Sequence, residues 1–344
     1  MKFTLDFRSD TITRPTPAML EAMFRAQVGD DVFGEDQAIN TLEAQTADWF
    51  GMEAALFCPS GTMTNQIGIK CHTQPGDDVI CEKKSHVYIY EGGGIAVNSG
   101  CQVQALEGSF GRISAEQIRP LINPDDVHRT RTRVVSLENT CNRGGGTCYE
   151  LAAIEAIREL CNEHDLALHL DGARIWNAIV AKKQDPKVYG RLFDSISVCF
   201  SKGLGAPVGS VLLGSKTYIR QARRVRKVMG GGMRQAGYLA AACTYAIENH
   251  LERLNEDHRL TSEIGTVLLQ ANFVERLTPP ETNILIFSVK PGLSPKAICA
   301  DWQQAGVLAY PISDTDIRLV THLDIDRAQI PAFLDYLKTY SPAS

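Results

Sequence analysis

The sequence of 344 residues has no long apolar run and no excess of basic residues. Its N-terminus, MKFTLDFRSD, lacks the apolar stretch of a secretory signal peptide, and no segment approaches membrane-spanning length, so we expect a cytoplasmic protein that binds no membrane. The formal net charge of −5 argues against a nucleic-acid-binding protein. The first βα unit lacks a G-x-G-x-x-G motif, which disfavours a nicotinamide-dependent dehydrogenase.

Disulfide bonds are equally unsupported. The ten cysteines occur singly, without a C-x-x-C pair, and a chain of this size needs no covalent staples. Because free cysteine packs like a small hydrophobic residue, we expect reduced and mostly buried thiols. The sequence also predicts no metal site.

What the sequence does contain is an alternation of short β-rich runs with helical stretches. This pattern is typical of an α/β fold, in which helices cover a parallel or mixed sheet. Several runs are apolar on both faces, as buried strands are. The predicted strands are Ala54–Pro59, Asp78–Glu82, Gln102–Leu106, Arg133–Glu138, Ala167–Asp171, Ser195–Ser201 and Ser210–Gly214.

The helical stretches show start signals and periodicity of their own. Ser114–Ile122 opens with the capping-box pair Ser114 and Gln117. Glu150–His164 has apolar residues at helical spacing. A long helix is expected over Met233–Leu254.

A second, smaller domain is expected after that long helix. Three predicted strands, Asn283–Val289, Val307–Pro311 and Ile317–His322, mix with helices there. We therefore expect a large α/β domain over residues 1–254, which includes the N-terminal segment, and a small α+β domain over residues 255–344.

A lysine stands at the end of one predicted buried strand. Ser201-Lys202-Gly203 follows apolar strand residues and precedes a glycine-containing turn. A partly desolvated amine loses its proton readily and can then act as the nucleophile that forms a Schiff base. For this tripeptide alone, a lysine that merely marks the strand end is an equal alternative.

A second motif places a carboxylate and a guanidinium at another strand end. Strand alternation puts His169 and Asp171 on one face, with Asp171 at the carboxyl end, where α/β sheets bind ligands. A carboxylate there can pair with the pyridine nitrogen of pyridoxal phosphate (PLP), although a turn or helix-cap role is commoner. Arg174 suits carboxylate binding, because guanidinium holds planar oxyanions with two hydrogen bonds.

Two further stretches are weaker signals when taken alone. Ser60-Gly61-Thr62 lies between a predicted strand and an apolar helix, where free backbone N–H groups and the helix dipole can bind phosphate. An ordinary N-cap is the alternative. His86 follows the strand that ends at Glu82, and its imidazole could stack on a planar cofactor or transfer protons near neutral pH. A surface or core role is commoner for histidine.

In chain order, these motifs match the layout of fold-type-I PLP enzymes. Over about residues 6–324, the chain closely resembles the low-specificity L-threonine aldolases of the β-eliminating lyase group. The resemblance implies an aspartate aminotransferase-like α/β fold, with a large mixed-sheet domain and a small C-terminal α+β domain. The segments that carry it are Phe7–Thr11, Gly29–Gly34, Ser136–Thr140, Asp171–Arg174, Ser201–Gly203 and Gly230–Gln235.

The resemblance implies how PLP would be bound. Lys202 would form the Schiff base, Asp171 would hold the pyridine nitrogen and His86 would stack on the ring. Gly61 and Thr62 would bind the phosphate.

Substrate binding is implied in the same way. Ser9, Arg174 and Arg318 would hold the amino acid's carboxylate, and Arg174 also belongs to the expected cofactor set. His128 matches a histidine that the family places near the substrate's β-carbon, and Tyr90 is a further candidate there.

Assembly is implied by Lys227 and Arg234, which resemble residues that family members contribute to a neighbouring subunit's phosphate site. We therefore expect a homo-oligomer, a dimer or a dimer of dimers, with shared active sites. The basic run Arg220–Lys227 could instead be a solvated helix face. Cys141 departs from the family pattern, which usually has histidine there, and could alter side-chain preference or stereochemistry if it faces the substrate.

The implied reaction is the retro-aldol cleavage of L-threonine or L-allo-threonine to glycine and acetaldehyde. His86, His128 or a water that they hold could be the base. Other reactions on the same scaffold, such as phenylserine cleavage, β-elimination or racemisation, remain alternatives. A non-catalytic regulatory subunit would be expected to lack the lysine or the carboxylate-binding residues, and both are present.

Overall fold

A computed structural model describes residues 2–342 of the chain. The strands are β1 (Leu5–Asp6), β2 (Ala54–Cys58), β3 (Asp77–Glu82), β4 (Gln102–Leu106), β5 (Arg131–Glu138), β6 (Ala167–Gly172), β7 (Ser195–Cys199), β8 (Ser210–Gly214), β9 (Val274–Leu277), β10 (Ile284–Val289), β11 (Val307–Leu308), β12 (Tyr310–Pro311) and β13 (Asp316–Val320). The α-helices are α1 (Pro17–Phe24), α2 (Gln37–Phe50), α3 (Gly61–His72), α4 (His86–Ile89), α5 (Ala115–Ile118), α6 (Leu151–Glu163), α7 (Ile175–Lys182), α8 (Pro186–Leu192), α9 (Lys216–Val228), α10 (Gly237–His250), α11 (Leu254–Leu268), α12 (Pro295–Gln304) and α13 (Ile330–Thr339).

The main sheet has seven strands in the order β2-β8-β7-β6-β5-β3-β4. β8 pairs antiparallel with both of its neighbours, whereas β7, β6, β5, β3 and β4 form parallel pairs. The carboxyl ends of the parallel strands therefore meet at one edge of the sheet, where ligands bind in open α/β folds.

The seven strands predicted for this sheet are confirmed, with ends that differ by at most two residues from the observed bounds. Every residue of β3, β7 and β8 is buried. This burial follows from helices on both faces of the sheet. The sequence of β8 is accordingly apolar from Val211 to Leu213, whereas β7 carries the buried hydroxyls of Ser195 and Ser197 on one face.

The helices depart from prediction mainly at their ends. The capping box at Ser114 is present, but its α-helix spans only Ala115–Ile118. The helix expected over Met233–Leu254 begins later, at Gly237, and ends at His250. Its start is set by Asp36, whose carboxylate accepts a hydrogen bond from the Gly237 amide at 2.9 Å.

The second sheet is antiparallel and has the order β12-β13-β10-β9. Its strand β9 was not predicted, because Val274–Leu277 has only two apolar residues among its four. The single strand predicted over Val307–Pro311 is wrong: β11 pairs in parallel with β1, and β12 pairs with β13. One short segment thus changes partners between its two halves.

The two largest hydrophobic clusters lie in different parts of the chain. The larger contains buried residues from Met19 to Leu254, and the other contains residues from Leu260 to Leu337. The N-terminal side chains Phe3 and Leu5 also pack in this second core, although they belong to the segment predicted as part of the large domain. The boundary between residues 254 and 255 itself stays a prediction.

The expectation of reduced, mostly buried cysteines is confirmed. All ten are free thiols, and nine of them are buried, with Cys71 partly buried. Separately, among residues 2–342 no helix combines the length and apolar character needed to cross a membrane.

Candidate active site

A cavity of about 490 Å³ opens at the carboxyl ends of the main-sheet strands, against the second sheet. Its wall includes six residues that the sequence predicted for the site: Ser9, His86, Tyr90, Arg174, Lys202 and Arg318. Six more residues line it without having been assigned a role: Thr11, Asn142, Arg143, Tyr310, Pro311 and Ile312.

Lys202 is held by its own backbone. Its carbonyl oxygen accepts hydrogen bonds from the Gly205 amide at 2.8 Å and from the Thr13 hydroxyl at 3.0 Å. Gly205 has φ +81°, and a Cβ there would lie 2.4 Å from a Leu323 methyl group. The turn after β7 therefore requires glycine, and it directs the partly buried lysine side chain into the cavity.

Asp171 lies at the end of β6 and is almost fully buried. Its Oδ1 accepts a hydrogen bond from the Ala173 amide at 3.0 Å, but its Oδ2 has no partner within residues 2–342. A buried carboxylate oxygen without a donor is costly. The site thus fits a ligand that brings an N–H group, such as the protonated pyridine ring of PLP.

The predicted phosphate residues start α3. Ser60 caps this helix by accepting a hydrogen bond from the Met63 amide at 3.2 Å. The amides of Gly61 and Thr62 lie in the first turn of α3, where N–H groups have no intrahelical acceptor, so they are available for an anion. Neither residue lines the cavity described above, and their phosphate role stays a prediction.

His86 is fixed by two glutamates. Its amide donates to Glu138 at 2.7 Å, and its Nδ1 bonds to Glu91 at 2.8 Å. Burial alone would lower the pKa of His86, but the hydrogen bond to Glu91 and the negative charge of Asp171 outweigh it and raise the pKa. Glu91 is in turn held by donors from Asn65 at 2.9 Å and Gln66 at 2.6 Å, which fixes the imidazole's orientation.

Glu138 joins the two loops around the cavity. Its two oxygens accept backbone N–H groups from His86 and Asn142, each at 2.7 Å. Burial and the nearby charge of Asp171 raise the pKa of Glu138 to about 7. The carboxyl at the end of β5 therefore positions both the start of α4 and the loop that carries Asn142.

Arg174 is oriented by a buried ion pair. Its Nε and Nη2 donate to the two oxygens of Asp10, at 2.8 and 2.6 Å, and Asn283 adds a third donor at 3.1 Å. Burial alone would raise the pKa of Asp10, but the charge and hydrogen bonds of Arg174 lower it well below its usual range. Arg174 is thus a fixed cation at the cavity wall.

Among the residues that the structure describes, Arg318 forms hydrogen bonds only to neutral groups. It donates to the Asn142 side chain at 2.8 Å and to the Arg8 carbonyl at 3.1 Å. Burial and the positive charge of Arg174 lower the pKa of Arg318 to about 10. Arg318 remains charged at neutral pH and can bind an anion in the cavity, as predicted for a substrate carboxylate.

His128 is not brought to this cavity. It precedes β5, whose opposite end carries Glu138, and a strand of eight residues spans roughly 25 Å. The His128 side chain is 87% exposed and bonds to Asp126 at 2.8 Å. Within one chain, His128 therefore lies far from the cavity, at the amino end of the strands, and its expected position near the substrate stays a prediction.

Lys227 and Arg234 also lie outside the cavity. Both are exposed, and Arg234 pairs with Asp30 at 2.9 Å. The solvated-face alternative for the basic run does not hold for Arg226, which is buried and bonds to Asp31 at 2.6 Å. The role of Lys227 and Arg234 at a neighbouring subunit stays a prediction.

Cys141 does not face the cavity. Its buried Sγ donates to the backbone carbonyls of Glu138 at 3.1 Å and Gly111 at 3.3 Å. Burial raises the pKa of this thiol well above its usual value. The departure from the family pattern therefore alters packing beneath the loop, whereas the next residues, Asn142 and Arg143, reach the cavity.

Sequence reasoning missed several residues that organise the site. Asp10 lies within the quoted segment Phe7–Thr11, so a buried counter-ion for an arginine was a readable signal. Glu91 follows His86 by five positions on the same segment and could also have been suspected. Nothing local indicated Arg143 or Tyr310, because their contacts join distant parts of the chain.

Comparisons with known proteins identify the family and the fold of the chain. A profile of the β-eliminating lyase family matches residues 6–291. The low specificity L-threonine aldolase of Escherichia coli strain K12 is 42% identical over 330 residues, which cover 95% of this chain and 96% of that protein. A probable low-specificity L-threonine aldolase of Arabidopsis thaliana is 39% identical over 340 residues, covering 95% and 94%.

The fold is shared with a solved structure of a threonine aldolase from Leishmania major. The TM-score is 0.85 at 22% sequence identity, and the likeness covers 97% of this chain and 98% of that one. The fold class predicted from the sequence is confirmed.

Proposed function

The chain belongs to the β-eliminating lyase family, and on this premise we propose that it is a PLP-dependent, low-specificity L-threonine aldolase. It cleaves L-threonine and L-allo-threonine to glycine and acetaldehyde, and related β-hydroxy amino acids to glycine and the matching aldehyde. Relatives of that name match nearly the whole chain, which supports the proposal.

The observation that carries the proposal is an unsatisfied buried oxygen of Asp171 beside a lysine at the end of the next strand. These residues fit PLP: Lys202 would bind its aldehyde carbon, Asp171 its ring N–H, and His86 would lie against the ring. When bound, PLP supplies an electron sink for the bond broken at the substrate's Cα.

Arg174 and Arg318 would hold the substrate's carboxylate, with Ser9 as a further donor. Both guanidiniums line the cavity, and Asp10 prevents Arg174 from turning away. Holding the carboxylate in place prevents rotation about the bond between the substrate's nitrogen and its Cα. These residues therefore select which bond of Cα breaks, while Tyr90 borders the space left for the side chain.

His86 would accept the proton of the substrate's β-hydroxyl, directly or through a water. Glu91 is an acceptor when ionised, so the Nδ1 that bonds to it must carry the proton. The Nε2 atom of neutral His86 is then an acceptor. Because the pKa of His86 is raised, the neutral form increases as the pH rises through that value.

Assembly completes the proposal, as a cytoplasmic dimer or dimer of dimers with shared sites. A single chain leaves three of the predicted site residues exposed: Lys227, Arg234 and His128. Val127, next to His128, is an apolar residue that is 97% exposed, as is typical of a surface that contacts another subunit. The free thiols support a reducing compartment. Sedimentation analysis tests the assembly, and a fully active monomer would contradict it.

The function is tested by measuring kcat/KM for L-threonine and L-allo-threonine, with D-threonine, L-serine and L-phenylserine as comparisons. We expect both L-diastereomers to be cleaved and the D-isomer to be inert. The allo form should be favoured about fivefold, because one hydrogen bond to the hydroxyl discriminates by roughly 1 kcal/mol. Selectivity above about a thousandfold would require a dedicated hydroxyl-binding group. Absence of cleavage with PLP bound would overturn the proposal.

A further inference from the structure

One arginine of the cavity wall has no part in the roles proposed above. Arg143 lines the cavity from the loop after β5. Its Nη1 donates to the Ile312 carbonyl at 3.2 Å, and its Cζ lies 5.0 Å from the centre of the Tyr90 ring. Within residues 2–342, no carboxylate oxygen lies within 4.0 Å of its guanidinium nitrogens. Arg143 is therefore a positioned cation that lacks a counter-ion.

The charges of the cavity leave this cation unmatched. Arg174 and Arg143 both depress the pKa of Arg318, so the three guanidiniums are electrostatic neighbours. Asp10 neutralises Arg174, and the α-carboxylate of an amino acid would neutralise Arg318. Among residues 2–342, no acidic side chain lines the cavity. With threonine bound, one positive charge still has no partner.

Carboxylates on the far side of Arg143 do not supply the missing charge. A smaller cavity there is bordered by Arg143, Glu82, Glu107 and Asp316. Glu107 pairs with Lys83 at 2.7 Å. Asp316 accepts hydrogen bonds from two serine hydroxyls at 2.6 and 2.9 Å. These acids have their own donors, so Arg143 is left to the larger cavity.

We propose that Arg143 binds a second carboxylate, carried on the substrate's β-carbon, and that this enzyme accepts β-hydroxy amino diacids, of which L-3-hydroxyaspartate is the smallest. Position supports this choice. The Tyr90 ring lies 5.7 Å from the ring of His86, centre to centre, and Arg143 packs on Tyr90. His86 is the proposed acceptor of the β-hydroxyl proton, so the β-carbon's other substituent has Tyr90 and Arg143 nearby.

The step rests on the proposed aldolase function and needs no further reactant. The Cα–Cβ bond of 3-hydroxyaspartate breaks, and the hydroxyl proton leaves as the β-carbon becomes the aldehyde of glyoxylate. One proton is added to Cα to give glycine. The atoms of 3-hydroxyaspartate are thus divided between glycine and glyoxylate, without oxidation or reduction overall.

The test compares kcat/KM for both diastereomers of L-3-hydroxyaspartate with kcat/KM for L-threonine, in the wild type and in Arg143→Met and Arg143→Lys holoenzymes. We expect the wild type to cleave the diacid at least as efficiently as threonine. Arg143→Met should lower the diacid-to-threonine ratio at least tenfold, because a charge-assisted contact is lost. Arg143→Lys should retain part of the preference. Arg276→Met, outside the larger cavity, serves as the matched control.

Binding provides a second measurement that does not depend on cleavage or on a folded variant. Calorimetry on wild-type holoenzyme compares L-aspartate with L-2-aminobutyrate, which has a methyl group in place of the carboxylate. Aspartate should bind at least tenfold more tightly. Equal affinities, or a substrate ratio that Arg143→Met changes less than threefold, would overturn this inference alone. Loss of threonine cleavage in the wild type would instead overturn the proposed function, while the binding comparison would still decide the role of Arg143.

Discussion

Arg174 and Arg234 were both assigned to anion binding from the sequence, and the structure holds them in opposite ways. The Arg174 side chain is 6% exposed and makes two hydrogen bonds to a fully buried Asp10. The Arg234 side chain is 59% exposed and makes a single contact of 2.9 Å with Asp30. One guanidinium has been taken out of water and fixed, whereas the other remains solvated.

This difference separates an inner wall from an outer region of the site. We define the inner wall as Asp10, Arg174, Asp171 and Lys202, all oriented by contacts within one chain. The outer region consists of Lys227, Arg234 and His128, which one chain leaves exposed. Losing one partner of a buried ion pair is far more costly than losing one partner of an exposed pair. Substitutions in the two regions should therefore affect different properties.

The largest effect is expected at the inner wall, from Lys202→Ala. Turnover of L-threonine should fall at least a thousandfold, or about 4 kcal/mol of transition-state stabilisation, because no other lysine in the described part of the chain lines the cavity. Borohydride reduction should attach PLP covalently to the wild type and not to the variant. Near-normal turnover by the variant would remove Lys202 from the mechanism.

Asp10→Asn should have the next largest effect, because it leaves the buried guanidinium of Arg174 without its counter-ion. We expect the free energy of unfolding to fall by about 3–5 kcal/mol, and KM for threonine to rise as Arg174 loses its orientation. The matched control is Asp30→Asn at the exposed pair, where the loss should be at most about 1 kcal/mol. Urea unfolding measures the loss of unfolding free energy in both variants. Equal losses would contradict the distinction between the inner wall and the outer region.

The same pair gives a pH dependence with a definite sign. The pKa of Asp10 is lower in the folded protein than in the unfolded chain. Its stabilisation is therefore fully present above the unfolded value of about 3.9, and is lost as the pH falls through the folded value. Below about pH 4, wild type and Asp10→Asn should converge in unfolding free energy. A constant difference down to pH 2 would contradict this account.

Arg234→Ala tests the outer region and should have a smaller effect of another kind. We expect PLP to be retained more weakly, by about 1.5–3 kcal/mol for a lost charge-assisted contact. Unfolding of the PLP-free protein should change by less than about 1 kcal/mol, because the pair with Asp30 is exposed. Unchanged PLP affinity, measured by equilibrium dialysis, would count against a shared phosphate site.

Glu91→Gln should produce the smallest change, in the pH profile of kcat/KM. The hydrogen bond and the negative charge of Glu91 favour protonated His86, so removing that charge should lower the pKa of His86. If neutral His86 accepts the proton, the acidic limb of the profile should move to lower pH by the same amount. An unmoved limb would assign that limb to another group. Thermal unfolding checks that the variant is intact.

Several parts of the inner wall could be predicted because their signals are local. Asp171 and Lys202 each follow a short apolar run whose length fits a single buried strand. The carboxyl ends of parallel strands meet at one edge of the sheet, so these two residues are expected near each other. The strands themselves were predictable within two residues for the same reason. The position of Arg174 in the site could be predicted because it lies three residues after Asp171 in the chain.

Other features depend on contacts between distant segments and could not be predicted. Asp10 and Arg174 are separated by 164 positions, and Arg143 meets Ile312 across 169. The N-terminal strand β1 pairs with β11, and no periodicity in the sequence of either segment predicts this pairing.

By itself, the sequence determined which segments become buried strands and which chemical groups stand at their ends, because burial and alternation act over a few residues. Only the tertiary structure decided which of those groups share a cavity. His128 and Glu138 flank the same strand, yet one is exposed at its amino end and the other is buried at its carboxyl end. The direction of β5 in the sheet, set by its pairing with β3 and β6, separates them.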